Sequence, residues 1–197
     1  MPIIGVDEAG RGPLAGPVVA SAAFLKLYSD ELLSIDDSKK LTGKKREKLF
    51  DVINTHFEVG VGISTVEEID EINILNATFL AMRRALEELS KKINYDISEY
   101  LVLVDGNFII RKYEGLQEAI VKGDGMSLSI AAASVIAKVT RDRIMKNEDN
   151  KYPIYGFKNH MGYGTKEHIR AILTNGPCEI HRKSFLNNII NKNPRLF

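Results

Sequence analysis

Three apolar runs in this chain end in acid: Val6 passes into Asp7-Glu8, Val104 into Asp105, and Val121-Lys122-Gly123 into Asp124. In open α/β sheets, ligands bind outside the carboxyl ends of the strands. If the three runs are neighbouring strands, four carboxylates converge on one small volume. Their mutual repulsion raises pKa values unless a cation compensates. All-oxygen donors suit Mg2+ or Mn2+ better than zinc. Two such ions roughly 3.5–4 Å apart can activate a water and stabilise a leaving oxygen in phosphodiester hydrolysis. Adjacent strand residues point to opposite faces, so Asp7 and Glu8 are expected to share a site only where the strand breaks, at the glycines that follow. A lone Asp after a strand commonly caps a turn. On this pattern alone, separate turn caps and a shared metal site both stand.

The acids need elements to hold them. Residues 3–6 form a short apolar run ended by Gly10-Arg11-Gly12-Pro13, which reads as a buried strand entering a turn. Residues 18–25 read as its hairpin partner. Residues 42–56 are helical in pattern, with Leu49, Phe50 and Ile53 on one side. Phe57, Val59, Val61 and Ile63 alternate with Glu58, Gly60 and Gly62, the period of a half-buried strand. Thr65 and Glu68 have capping-box spacing, and Ile72, Leu75, Phe79, Met82, Leu86 and Leu89 continue at helical spacing. Residues 100–104 resemble a central parallel strand, and 119–121 a further short strand. Residues 127–146 read as a long helix whose Ala131-Ala132-Ala133 run permits close packing on a sheet. The order predicts an α/β fold, a mixed sheet covered by helices, with no internal linker.

Composition narrows the function classes. The 197 residues are 44% hydrophobic and 27% charged, ordinary globular values, with a formal net charge of +1. The total hides an uneven distribution. Residues 151–197 hold eight basic and two acidic side chains and three of the four histidines, so a polyanion partner is expected at that end. A single cysteine, Cys178, forms no intramolecular disulfide and builds no structural zinc site. No run approaches the roughly 18 apolar residues of a membrane span. The N-terminus meets carboxylates too soon for a signal peptide. A cytoplasmic protein with no membrane partner is expected.

The run Gly5-Val6-Asp7-Glu8-Ala9-Gly10-Arg11-Gly12-Pro13-Leu14-Ala15-Gly16-Pro17-Val18 resembles type 2 ribonuclease H, specifically the bacterial ribonuclease HII family. Asp37-Ser38-Lys39-Lys40-Leu41, Val104-Asp105-Gly106 and Lys122-Gly123-Asp124 follow in the family's order. So do the segment from Ala131 to Arg143, Gly162-Tyr163-Gly164-Thr165-Lys166-Glu167-His168 and His181-Arg182-Lys183-Ser184-Phe185. The resemblance spans nearly the whole chain. It implies an RNase H-like mixed sheet flanked by helices, as one catalytic domain over 1–197 with about 151–197 as a basic, mostly helical extension. It also implies cleavage of RNA in RNA/DNA hybrids and incision 5′ of single ribonucleotides in duplex DNA, leaving 3′-hydroxyl and 5′-phosphate ends, by a monomer.

By the same resemblance, Asp7, Glu8, Asp105 and Asp124 match the family's catalytic, metal-binding carboxylates. Asp7 would bridge two Mg2+ or Mn2+ ions, Asp124 would help hold the ion at the attacking water, and Glu8 and Asp105 the ion at the leaving 3′ oxygen. Gly10, Arg11 and Gly12 match the loop whose main chain senses the 2′-hydroxyl, the group that separates RNA from DNA. Glycine allows a backbone so close to a sugar. Tyr163 matches the tyrosine that packs on the sugar at the RNA–DNA junction. Lys39, Lys40, Lys138, Arg141, Lys166, Arg182 and Lys183 are candidate phosphate contacts, Lys39 and Lys138 first. His160, His168 and His181 lack metal-ligand spacing and read as capping or packing groups. Asn193-Pro194-Arg195-Leu196-Phe197 faintly resembles peptides that bind replication clamps.

Two rivals share the fold: a ribonuclease HIII-like enzyme preferring long hybrids, and a non-catalytic hybrid-binding module. The HIII type usually carries an extra N-terminal substrate-binding domain, and a first strand at residue 3 leaves no space for one. A module that only binds has no need of a costly acidic cluster facing phosphate.

Overall fold

The computed structural model describes residues 1–35, 43–93, 96 and 99–191. One sheet of five strands is built from β1 (Ile3–Ala9), β2 (Val18–Leu25), β3 (Phe57–Ser64), β4 (Leu101–Asp105) and β5 (Gln117–Ile120). Its order is β3-β2-β1-β4-β5. β1, β2 and β3 pair antiparallel, whereas β4 lies parallel to β1 and β5 parallel to β4. The three strands that lead into acid are therefore neighbours, as the shared-site reading requires. β5 begins and ends earlier than the apolar pattern predicts and leaves Val121 exposed. The Gln117 side chain explains the register, because it bonds to the main chain of Ile110 and Tyr113 and draws the strand's start toward the preceding loop.

Helices α1 (Gly43–His56), α2 (Val66–Ser90) and α3 (Leu128–Lys151) cover the sheet. α2 packs on one face, with Ile4, Val6, Val102 and Val104 inside that core. α1 and α3 pack on the other, where Ala131, Ala132 and Ala133 meet Ala23 and Val59. The small side chains matter most at Gly5. A Cβ added there would lie 2.1 Å from the carbonyl carbon of Ser129 and 2.2 Å from the nitrogen of Ile130, so β1 touches the α3 backbone directly.

Two helices differ from their sequence reading. α3 continues to Lys151, past the end of its apolar period, because Asp149 is buried and accepts from the Lys158 main-chain N–H at 3.2 Å. α2 keeps the predicted capping box at Thr65 and Glu68 but kinks at Asn73, whose φ is 65°. The Asn73 side-chain oxygen accepts from the N–H groups of Leu75 and Asn76 and so caps a second helical segment. Just before the kink, Asp70 accepts from the N–H groups of Lys183 and Ser184 and ties down the last helix.

Beyond α3, the chain forms the short helix α4 (Phe157–His160), α5 (Lys166–Asn175) and α6 (Lys183–Asn191). Met145, Tyr155, Phe157, Ile172 and Leu186 form their own apolar cluster with Ala15 of the β1–β2 loop. An isolated bridge joins Ala15 to His181. This is the C-terminal helical appendage that the sequence predicts, and it is seated on the loop that carries Gly10–Gly12. Among the described residues no helix is long and apolar enough to cross a membrane.

The Gly5 contact yields a stability prediction. Gly5→Ala forces β1 and α3 apart and should cost about 3 kcal/mol or more, by the ordinary scale of overpacking. Urea unfolding followed by circular dichroism checks it, and a change within about 0.5 kcal/mol contradicts the close approach.

Candidate active site

Strand alternation decides where each acid points. Ile4, Val6, Val102 and Val104 face α2, so Gly5, Asp7 and Asp105 lie on the opposite face, toward α3. There the Ser134 hydroxyl stands beside the Asp7 carboxylate, where it favours the charged form. By the same alternation Glu8 belongs to the α2 face, yet it lines the same cleft. β1 runs on through Ala9, so Glu8 is still in the strand and the break comes at the glycines that follow. The register resolves this. Val6↔Val104 is the last pair between β1 and β4, so Asp7, Glu8 and Ala9 have β2 on one side and an open notch on the other. Side chains from both faces reach that notch.

The cleft there encloses about 380 Å³, and Asp7, Glu8 and Asp105 all open onto it. Burial holds the Asp7 carboxyl well above the usual carboxylate range, and the charges of Glu8 and Asp105 push it the same way. Burial raises Glu8 too, against the pull of Arg11, whose guanidinium lies 3.1 Å away. Each acid leans on an internal donor. Asp7 accepts from the Glu8 main-chain N–H at 2.7 Å, and Asp105 accepts from the Gly123 N–H, also at 2.7 Å. Asp124 lies on the 3₁₀ turn Gly123–Gly125 that supplies this donor, and it is not part of the cleft lining. Among the described residues no three His, Cys, Asp or Glu side chains are gathered as a ready-made ion cage. The donor set nonetheless fits a hard divalent cation in kind. It offers carboxylate oxygens without nitrogen or sulfur, in a pocket where clustered negative charge raises a buried acid.

The other predicted site residues divide clearly. Gly10, Arg11, Gly12, Lys138 and Tyr163 line the same cleft. Gly12 faces the Tyr163 ring, 3.6 Å from the position a Cβ would take, and Tyr163 is about half exposed. Gly10 is glycine for a different reason from the one the sequence suggests. Its φ is 99°, and a Cβ there would strike the Arg141 side chain from within, at 2.0 Å. Lys138 is held by Asp142 at 2.7 Å, and the same carboxylate lies 3.8 Å from Arg46. Arg46 also lines the cleft, which the sequence reading did not anticipate. A signal existed: Lys44-Lys45-Arg46 sits in the first turn of α1, where positive charge opposes the helix dipole. Arg141 and Arg182 are both buried with their guanidiniums on main-chain carbonyls, so neither is placed as a surface phosphate contact, although Arg141 also lines the cleft. Lys166 and Lys183 are exposed and do not line the cleft. Lys39 and Lys40 lie outside the described residues.

The histidines pack, as expected, but they also form a directed chain behind Tyr163. The Cys178 N–H donates to His181 Nδ1 at 2.9 Å, which leaves the His181 proton on Nε2. That proton meets His168 Nε2 at 3.1 Å, and His168 Nδ1 then donates to the Tyr163 carbonyl at 2.9 Å. His160 stacks on His168 with ring centroids 4.4 Å apart. Protonating either member of the facing pair would set N–H against N–H. Burial, the largest cause, pushes both His168 and His181 down to about 4.

Unfolded histidines take up a proton near pH 6.5, and these two do so only near 4 when folded. Each therefore lowers stability as pH falls through that window, by at most roughly 1.4 kcal/mol per pH unit. Asp7 and Glu8, with raised values, act in the opposite sense, so the histidines are read one by one. Ring chemical shifts of His168 and His181 should stay flat between pH 8 and about 5.5. Titration of either ring near 6.5 contradicts the chain of hydrogen bonds.

The sequence matches the profile of ribonuclease HII over residues 4–188. It is 65% identical over 189 residues to ribonuclease HII of Fusobacterium nucleatum, covering 95% of this chain and 87% of that protein. It is 52% identical over 191 residues to ribonuclease HII of Caldicellulosiruptor saccharolyticus, covering 95% and 88%. The fold superposes on the crystal structure of ribonuclease H2 from Pyrococcus horikoshii with a TM-score of 0.75 and 30% identity, covering 99% of this chain and all of the other. An acid-lined notch at the end of β1, continuous homology along the chain and a shared fold lead to one assignment: this chain belongs to the ribonuclease HII family of endonucleases.

Proposed function

We propose that this ribonuclease H cuts the RNA strand of RNA/DNA hybrids and also incises duplex DNA 5′ of a single embedded ribonucleotide, leaving 3′-hydroxyl and 5′-phosphate ends. The observation that carries the reading is that Asp7, Glu8 and Asp105 open onto the same cleft as Gly12 and Tyr163. A ribose resting on the cleft wall that Gly12 and Tyr163 form together presents its phosphate to the acids. Asp7, Glu8 and Asp105, joined by Asp124 from the neighbouring turn, are the groups that would hold Mg2+ or Mn2+. Such ions, when bound, supply a reactive water and stabilise the leaving 3′ oxygen.

The chain's own groups do the rest. The loop main chain meets the 2′-hydroxyl, and Tyr163 bears on the sugar. Lys138 and Arg46, steadied by Asp142, take phosphates without reading sequence. Lys39 belongs to the same proposal on its motif alone, as does a clamp contact through 193–197. The proposal also takes 1–197 as one catalytic unit acting as a monomer, with a basic extension from about 151. A raised, buried Asp7 among like charges is a folding cost that a module which only binds would not retain.

Asp7→Asn should lower cleavage of a duplex bearing one ribonucleotide on the order of a thousandfold while duplex binding changes little. The metal-free variant should melt no lower than the parent, since it loses a buried charge. Chelation should abolish cleavage, and added Mg2+ or Mn2+ should restore it. Tyr163→Ala should reduce junction cutting about tenfold with little loss of melting temperature, given its exposure. Undiminished turnover in Asp7→Asn contradicts the metal reading, and a collapsed melting temperature in Tyr163→Ala makes that ring a packing group.

A further inference from the structure

Arg182 and Arg141 are the two largest fully buried side chains of the described fold. Burial lowers them to about 9 and about 10, so both stay charged at neutral pH. Every hydrogen bond they make among the described residues ends on a main-chain carbonyl. Arg182 places its donors on five: Gly16 through Nε at 2.9 Å, Arg11 and Pro13 through one terminal nitrogen at 3.0 and 2.8 Å, and Gly10 and Pro17 through the other at 2.6 and 3.3 Å. A guanidinium has five N–H groups in a planar fork, so this one is saturated. Arg141 takes the Pro17, Met161 and Ala15 carbonyls at 2.9–3.0 Å. Between them, the two side chains gather most carbonyls of the loop from Gly10 to Pro17, and Arg141 lies under Gly10 itself.

Peptide planarity gives this arrangement a consequence. In a trans peptide the carbonyl of one residue and the N–H of the next point in opposite directions. The Gly10 and Arg11 carbonyls are drawn inward to Arg182, so the N–H groups of Arg11 and Gly12 are turned outward, and these residues line the cleft. The Pro13 carbonyl is held in the same way, and the Leu14 N–H turns off to the Gly162 carbonyl at 2.8 Å, next to Tyr163. The inward faces of the loop are satisfied by cation, and its outward donors are left to a ligand oxygen.

We propose that Arg182, assisted by Arg141, is the positioning residue for sugar selection: by binding the loop carbonyls it aims the Arg11 and Gly12 N–H donors at the ribose 2′-hydroxyl. This rests on the proposed reading of Gly10–Gly12 as the ribose-sensing loop. Lysine keeps the charge but has no planar fork and cannot span five carbonyls. Arg182 therefore acts through geometry, and charge alone should not replace it.

The test measures duplex binding in an Asp7→Asn background, with one ribonucleotide or one deoxyribonucleotide at the same position. Arg182→Lys should reduce the ribo-over-deoxy preference roughly tenfold, the scale of one lost hydrogen bond, while affinity for the all-DNA duplex and Mn2+ affinity of the otherwise unmutated enzyme hold. Arg141→Lys should lower the preference less. An unchanged preference in a folded Arg182→Lys variant overturns the proposal. If neither variant folds, ¹⁵N relaxation of the unsubstituted chain decides: order parameters near 0.85 for the Arg11 and Gly12 amides are expected, and values under about 0.6 overturn it. If the parent background itself shows no ribo preference, the ribose-sensing reading falls. The amide order parameters then still report whether Arg182 orders the loop.

Discussion

A carboxylate removed from water and set beside two others is the constraint around which this molecule is arranged. Asp7 is held by three decisions of the fold. Gly5 lets β1 touch α3, which brings Ser134 over the acid. The pairing of β1 with β4 stops at Val6↔Val104, which opens the notch. Parallel β4 delivers Asp105 to the same face. None of these is costly alone, but together they leave clustered negative charge in a cleft of about 380 Å³. Internal donors share part of that charge, through the Glu8 and Gly123 N–H groups and the Arg11 guanidinium. A divalent cation would offset the rest, so the folding cost and the proposed chemistry have one source.

The second layer is the zipper that ties the β1–β2 loop to the C-terminal helices. Leu14 donates to Gly162, Gly16 donates to Ile180, and Arg182 donates back to Leu14. The imidazole chain from Cys178 to the Tyr163 carbonyl lies behind the same junction. The basic end of the chain thus serves the cleft from inside as well as from its surface. Of its three expected phosphate contacts, Arg182 is a main-chain anchor and Lys166 and Lys183 lie off the cleft. The cationic side chains that line the cleft, Arg11, Arg46, Lys138 and Arg141, come from the β1–β2 loop, α1 and α3.

Much of this was legible in the sequence because it rests on local rules. Apolar runs ending in acid located β1 and β4, the Thr65–Glu68 spacing located the start of α2, and the alanine run located the face of α3. What was not legible depends on distant neighbours. Nothing local distinguishes Arg182, saturated by carbonyls more than 160 positions away, from a solvated arginine. The kink at Asn73 hides inside an unbroken helical period. The sharing of one notch by Asp7 and Glu8 needed the strand register, because alternation alone separates them. Asp124 illustrates the remainder. Its motif places it with the other acids, whereas the fold sets it one turn away, beside the donor that holds Asp105.

In the proposed reaction the acids and the ribose-reading surfaces address one nucleotide. Mapping cut positions on duplexes with one, four or many ribonucleotides, in Mg2+ and in Mn2+, tests it directly. One incision 5′ of the lone ribonucleotide is expected, with 3′-hydroxyl and 5′-phosphate ends. Cleavage confined to long hybrids, with the single-ribonucleotide duplex left intact, would contradict it.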